Sequence, residues 1–340
     1  MFDECKSVPR LLLVLGIAGI FASSTALAAS GMPRYAGNAA PGSSVVPGTL
    51  NYIEGSVTLN GQPVTSESVG KAKLGENQVL STAQGKAEIL LTPGVYLRIG
   101  DNSSVRMLLP DLTDTRVALL NGGATVEVTE LFKENHLQVG VAGTMTTLVK
   151  PGLYEFNADH PQVSVYKGEA FVLSGDRQVK VKEGHQAQLT GAVLVAKFDR
   201  KAVQDPLYAW SNLRSEYNAQ ASAESAQAVY GGWGPYWYGP GWYWNPYWDM
   251  YGFLPGYGVM YSPFGWPFFS PGFAYYAPIY FHGPLRAGAV SAGARPFARV
   301  PSAGVAHGFA GPRGFAAVPR MGGGFRGGAR MGGGFGGGHR

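Results

Sequence analysis

Between Gly55 and Leu189 the chain is cut by Gly, Asn, Asp and Pro turns into short segments in which apolar and polar residues alternate. A period of two puts successive side chains on opposite faces of a strand. The clearest case is Val95 to Ile99: Val95, Leu97 and Ile99 point one way and Tyr96 and Arg98 the other, the signature of a strand with one buried face. Ala87 to Leu91 precedes it across a Thr92-Pro93-Gly94 turn, and Val57 and Leu59 share a face before the Asn60-Gly61 turn. Val105 to Leu109, Val117 to Leu120, Ala124 to Val128, Leu137 to Val141, Tyr154 to Phe156, Val163 to Tyr166, Ala170 to Leu173, Val179 to Val181 and Ala187 to Leu189 continue the series. Strand starts come roughly every 8 to 12 residues, which favours a sandwich, barrel or roll over a βα arrangement. The expected fold class is all-β, with one β-sandwich or roll domain of short strands over 51–200, then one α-helix and a low-complexity, largely irregular tail.

Four pieces within this region resemble the FecR domain family. They are Gly55-Ser56-Val57, the stretch Gly75 to Thr82, the hairpin Ala87 to Ile99 with Pro93-Gly94-Val95 at its turn, and Val163 to Ala170 with Lys167-Gly168-Glu169. The resemblance implies a β-domain without catalytic residues, recognising a partner through an exposed sheet edge or face. Regulators of this family place a sigma-factor-binding segment and a transmembrane helix ahead of the domain. Here only about ten residues precede the first apolar run, so that mechanism is not expected of this chain alone.

That run, Leu11 to Phe21, follows the positive Lys6 and Arg10 and precedes Ala26-Leu27-Ala28, the small-x-small pattern of a secretory cleavage site. It falls short of the roughly 20 residues that span a bilayer. Residues 1–28 are therefore expected to be a signal peptide, with export to the periplasm or cell envelope and no transmembrane span in the mature chain. Cys5 would leave with the signal, which excludes disulfides and thiolate-bound metals. Residues 29–50, rich in Gly, Ala, Pro and Ser, read as a linker.

Asp205-Pro206 opens a helix expected over 203–229, with Asp205 as N-cap and Pro206 at the first turn. Leu207, Trp210, Leu213 and Tyr217 form one apolar stripe, expected to pack the helix on the β-domain; a ligand platform at Trp210 is the other reading. Tyr230-Gly231-Gly232 is the expected stop.

Gly, at 50 of 340 residues, is about twice its usual share, and most of the excess falls after Tyr230. Residues 230–281 interleave Trp, Tyr and Phe with Gly and Pro, and Asp249 is their only charge. Repeated Pro and Gly exclude a long helix, a central strand or a membrane span. The segment either folds back over the β-domain or presents rings such as Trp237, Trp242, Trp244 and Trp248 to a glycan or lipid surface. Residues 282–340 carry Arg286, Arg295, Arg299, Arg313, Arg320, Arg326, Arg330 and Arg340 without an acid, and read as disordered, with anionic envelope polymers rather than nucleic acid as the counter-surface.

Gly-x-Ser-x-Gly, phosphate-binding Gly-Lys-Ser/Thr and His-Glu-x-x-His motifs are absent. The close acids Glu127 and Glu130, and Asp111 and Asp114, read as solvated turns near strand ends. The expectation is a non-enzyme with no cofactor or metal, acting as a protein-interaction or signal-relay module on another envelope protein. The alternative is a structural or adhesive protein gripping glycan or lipid through its tail.

Overall fold

The computed structural model describes residues 45–233 and 239–279. The signal segment, most of the linker, Trp237 and the Arg-rich tail lie outside them. The described residues are all-β with one main helix. Its strands are β1 (Thr49–Leu59), β2 (Gln62–Val64), β3 (Val79–Leu90), β4 (Val95–Ile99), β5 (Ser104–Pro110), β6 (Asp114–Asn121), β7 (Gly123–Val128) and β8 (His136–Val141). There follow β9 (Thr144–Leu148), β10 (Gly152–Asn157), β11 (Gln162–Lys167), β12 (Glu169–Ser174), β13 (Arg177–Lys182), β14 (His185–Gln188) and β15 (Val195–Lys197).

These strands form one rolled sheet in the order β13-β12-β9-β8-β6-β5-β3-β4-β7-β10-β11-β14-β15, with β1 paired along β3 and β2 paired to β1. Only β6 and β8 run parallel, because β7 leaves β6 for the opposite wall, where it pairs with β4 and β10. The fold turns on β3, which belongs to both walls: Val79–Ser81 pairs with β5 and Ala87–Leu90 with β4. The β1–β3 ribbon bends where Gly55 faces Gly85. Gly55 has φ 69°, and a Cβ there would sit 2.2 Å from the Gln84 carbonyl oxygen, so the bend demands glycine.

Ala87, Ile89, Leu97, Ile99, Val126 and Val128 meet Val105, Val117, Val139, Leu148 and Val172 inside the roll as one apolar core. The alternation therefore locates the strands and the inner face. The outer face of β3, β4 and β7 differs from a half-buried sheet, since every residue of β4 is buried, Tyr96 and Arg98 included. A second layer covers it. Helix α1 (Pro206–Trp233) lies against β7, and the aromatic segment lies against α1.

The Asp205 carboxylate accepts the Tyr208 amide at 2.7 Å, and α1 starts at this cap. The helix runs on through Gly231 and Gly232 to Trp233. Toward the sheet it buries Leu207, Ser211, Arg214, Ser215 and Asn218, and its second half buries Ala219, Ala221, Ser222, Ala223 and Ala226. Of the apolar stripe read from the sequence, only Leu207 is buried, while Trp210 and Tyr217 are half-buried and Leu213 is 39 % exposed. The sheet face under the helix carries charges, so the side chains that answer it are polar.

Where composition reads as irregular, residues 241–269 form two hairpins, β16 (Gly241–Asn245) with β17 (Met250–Leu254) and β18 (Val259–Tyr261) with β19 (Pro267–Phe269). Trp242 stands opposite Phe253 and Trp244 opposite Tyr251, with ring centroids 5.8 and 5.1 Å apart, and such cross-strand aromatic pairs stabilise hairpins. Leu90 and Tyr96 of the sheet, Ala219 of the helix, and Trp242, Phe253 and Phe268 of the hairpins make a satellite core.

Candidate functional site

The layer between sheet and helix is ionic. The Arg98 guanidinium donates to Glu88 at 2.8 Å and to Glu127 at 2.6 Å, and all three side chains are fully buried. From α1, Arg214 donates to Glu88 at 3.0 Å, Asn218 to Glu88 at 2.9 Å and Ser215 to Glu127 at 2.8 Å. Thr125 and Ser211 share a hydrogen bond at 2.7 Å beside them. Burial pushes both carboxyls up, but Arg214 and Arg98 together outweigh it at Glu88 and bring that group down to about 2. Glu127 remains above the usual carboxylate range, because it is buried equally and has Arg98 as its one cation. Sequence reading takes Glu127 for a solvated turn residue; it is a fully buried ion-pair member, since α1 covers its strand. Asp111 does sit in an exposed turn, where it accepts from Thr113 and from the amide of Asp114, whereas Asp114 is the half-buried first residue of β6 and pairs with Arg116. Such an ionic layer fixes orientation more than it adds stability, because desolvation of each ion offsets much of the attraction.

The network extends to the first hairpin through Asn51 on β1. Its amide donates to Glu88 at 2.9 Å and to the Tyr251 carbonyl at 3.2 Å, and its oxygen accepts the Tyr251 amide at 2.8 Å. Asn51 thereby pairs with the Tyr251 backbone as a strand neighbour would. The hairpin turn is held from α1: Asn245 donates to the Ala221 carbonyl at 3.1 Å, and Glu224 accepts from Asn245 at 3.2 Å and from the Trp248 indole at 3.0 Å.

A cleft of about 670 Å³ opens between this hairpin and the turn after β2, within the size range of small-ligand sites. One wall is Ser66, Glu67, Gly70 and Lys71; the other is Trp244, Trp248, Asp249 and Tyr251; Tyr52 lies between. The Arg214 guanidinium sits 4.0 Å from the Tyr52 ring centroid and Trp210 6.2 Å from it, which holds that ring in place. Gly70 has φ 74°, and a Cβ there would come 2.7 Å from Cζ3 of Trp244, so the indole rests on bare backbone. Burial raises the Tyr52 and Tyr251 phenols above their usual range, and both are neutral hydroxyls at physiological pH.

Of the tryptophans the sequence nominates, the structure brings Trp244 and Trp248 to this cleft. Trp242 is only 6 % exposed, packed edge-on to Tyr96 at 5.0 Å, and serves the satellite core rather than a surface. Trp237 lies outside the described residues. Trp210 donates to Glu54 at 3.0 Å, and Tyr217 stacks on Trp248 at 5.5 Å. The rings most open to solvent are Tyr257, Tyr261, Tyr275 and Tyr276, Tyr275 being 88 % exposed; Tyr230 and Tyr247 are also exposed. Sequence reading passes over Asn51, Gly70 and Tyr251, whose partners are remote in the chain.

At the start of α1, Tyr166 of β11 packs on Phe198 and Tyr208 at 5.1 and 5.0 Å and donates to the Val203 carbonyl. Beside it, burial and then the Asp205 charge push Glu155 up to about 7, with the Tyr166 hydroxyl pulling back. Among the described residues no group of three His, Cys, Asp or Glu side chains could hold a metal. No described helix is long and apolar enough to cross a membrane.

The site and fold define an all-β domain carrying a helix and an aromatic layer. No family model and no curated protein matches the chain. A 1.65 Å crystal structure of a candidate anti-sigma factor from Parabacteroides distasonis ATCC 8503 is similar over 39 % of this chain, at 17 % identity and a TM-score of 0.34. The match spans 64 % of that protein, less than two thirds of its length. A 2.50 Å structure from the same organism, described in the same words, is similar over 45 % of this chain and 74 % of its own, with the same identity and TM-score. A TM-score of 0.34 is too low to carry fold or function from those proteins to this one.

Proposed function

We propose that this chain is a non-catalytic, exported FecR-like module that docks another envelope protein in signal relay. The reading rests on the motifs from Gly55 to Ala170 and on one observation. The rolled sheet ends at β15, which pairs on one side only and has Val195, Ala196 and Lys197 all exposed, next to Leu194 at 68 % exposure. The opposite end, β13, carries Arg177, Lys180 and Lys182, charges that discourage strand addition. β15 is therefore the edge suited to an extended partner segment. Residues 194, 196 and 198 bond back to β14, so the N–H groups of Val195 and Lys197 face the open edge. A photo-crosslinking residue at position 194 is expected to yield an adduct in cells that Lys197→Pro removes, and the same residue at position 177 to yield none. Equal labelling at both ends overturns the reading.

A second reading, envelope adhesion, is favoured by the exposed tyrosines. Tyr257 and Phe273 meet at 5.1 Å and Tyr275 and Tyr276 at 5.6 Å, an aromatic surface suited to a headgroup layer. Replacing Tyr257, Tyr275 and Tyr276 by Ser should release the chain from the envelope pellet. Unchanged pelleting sinks adhesion through these rings. The exposed positions suit this test, whereas truncation after Ala228 removes the hairpins that complete the core around α1.

A further inference from the structure

We infer that the cleft between the Ser66–Lys71 turn and the first aromatic hairpin is a saccharide-binding site, taking a short neutral oligosaccharide of glucose-like, all-equatorial rings. The inference goes beyond docking at β15 and does not depend on it, because the cleft lies on β1, its following turn and the β16–β17 hairpin.

Three observations carry it. First, Trp244, Trp248 and Tyr251 line the cleft half-buried, so their rings are neither sealed in a core nor loose on the surface. Each is held in place: Trp244 against Gly70 of the facing wall, Trp248 by Glu224 and Tyr251 through its backbone by Asn51. Rings held in this way bind with little further loss of side-chain entropy. Second, the rim carries Glu67, Asp249 and Lys71, which among the described residues have no hydrogen-bond or ion-pair partner from their side chains. The buried acids Glu88 and Glu127, by contrast, are both paired. Two acceptors and one donor beside fixed rings match an equatorial sugar, whose C–H faces stack on aromatic rings while its hydroxyls donate to carboxylates and accept from an ammonium. Third, the rim has two acids to one base, which disfavours an anionic headgroup or phosphate, and the flanking tyrosines are neutral. The cleft volume of about 670 Å³ accommodates more than one ring.

The test titrates the mature full-length chain with cellotetraose and with the tetramer of N-acetylglucosamine, following tryptophan emission and heat. Proline-rich peptide and phosphatidylglycerol vesicles are the competing ligands. One tetrasaccharide is expected to bind and to shift the emission. The exposed pair Glu67→Gln with Asp249→Asn should weaken it at least tenfold while leaving the unfolding transition in place. Trp244→Ala should abolish it; because that variant also removes packing, Lys71→Ala, on an exposed side chain, supplies an independent loss of several-fold. Absence of saccharide binding at millimolar concentration overturns the inference. So does binding that the rim variants leave unchanged, or saturable binding of the peptide or the vesicles alone. The β15 variant Lys197→Pro should retain full saccharide affinity, so failure at the cleft and failure at the edge are read separately.

Discussion

Replacing Arg98 by Met tests whether the ionic layer holds the second layer on the sheet. Methionine keeps the unbranched stem and removes the guanidinium. Glu88 would still have Arg214 at 3.0 Å, Asn51 at 2.9 Å and Asn218 at 2.9 Å. Glu127 would keep only Ser215 at 2.8 Å and be left as a buried charge without a cation. Breaking a buried pair on one side costs about 3–5 kcal/mol, and the uneven loss puts most of that at Glu127. Urea unfolding of the full chain should show the midpoint falling by that equivalent at pH 7 with an unchanged slope. Adding Glu127→Gln should restore at least half, because the stranded charge is gone. The single variant should also lose less at pH 5 than at pH 7, since Glu127, already raised by burial in the intact protein, takes up a proton once Arg98 is absent. A cost under about 1 kcal/mol, the range of a surface pair, or no rescue by Glu127→Gln, would refute the reasoning.

Glu155 offers a pH test with the opposite sign to a salt-bridged acid. Its folded value of about 7 lies above the ordinary 4.5, so its contribution is fully present below about 4.5 and is lost as pH rises through 7. At about 1.4 kcal/mol per unit the loss is about 3 kcal/mol, and Glu155→Gln should flatten the stability profile between those pH values. A profile unchanged by that substitution removes Glu155 as its cause. Gly70→Ala must strain a φ of 74° and push Trp244 off its seat, at about 1–3 kcal/mol, and should red-shift tryptophan emission. An unshifted spectrum would mean that the indole does not rest on Gly70. Asn51→Leu leaves the Tyr251 amide and carbonyl without their partner, so hydrogen exchange should quicken at β17 while β4 stays protected; uniform quickening would mean that Asn51 holds the whole sheet.

The strands were legible because their inner faces are apolar and their turns carry Gly, Asn and Pro. Thr144–Leu148 is not legible because an inward position is Thr146, which breaks the apolar alternation. Val195–Lys197 is not legible because all three residues are exposed and show no alternation in burial. The helix start was legible from Asp205-Pro206, but its buried face was not, since Ser211, Arg214, Ser215, Asn218 and Ser222 look like a solvated stripe. In the cleft, Trp244 and Trp248 stood out by composition. Gly70 and Asn51, which seat Trp244 and Tyr251, lie 174 and 200 residues away from them in the chain, and no local pattern links such pairs.

By itself the sequence determined an all-β domain, sandwich or roll, because a period of two with regular turns admits few other folds. Only the tertiary structure decided that Tyr96, Arg98, Glu88 and Glu127 face a second layer instead of water. The physical reason is that alternation reports a difference between two faces. A charged face neutralised by partners from a distant helix gives the same alternation as a solvated one, and the partners are joined by folding rather than by spacing along the chain.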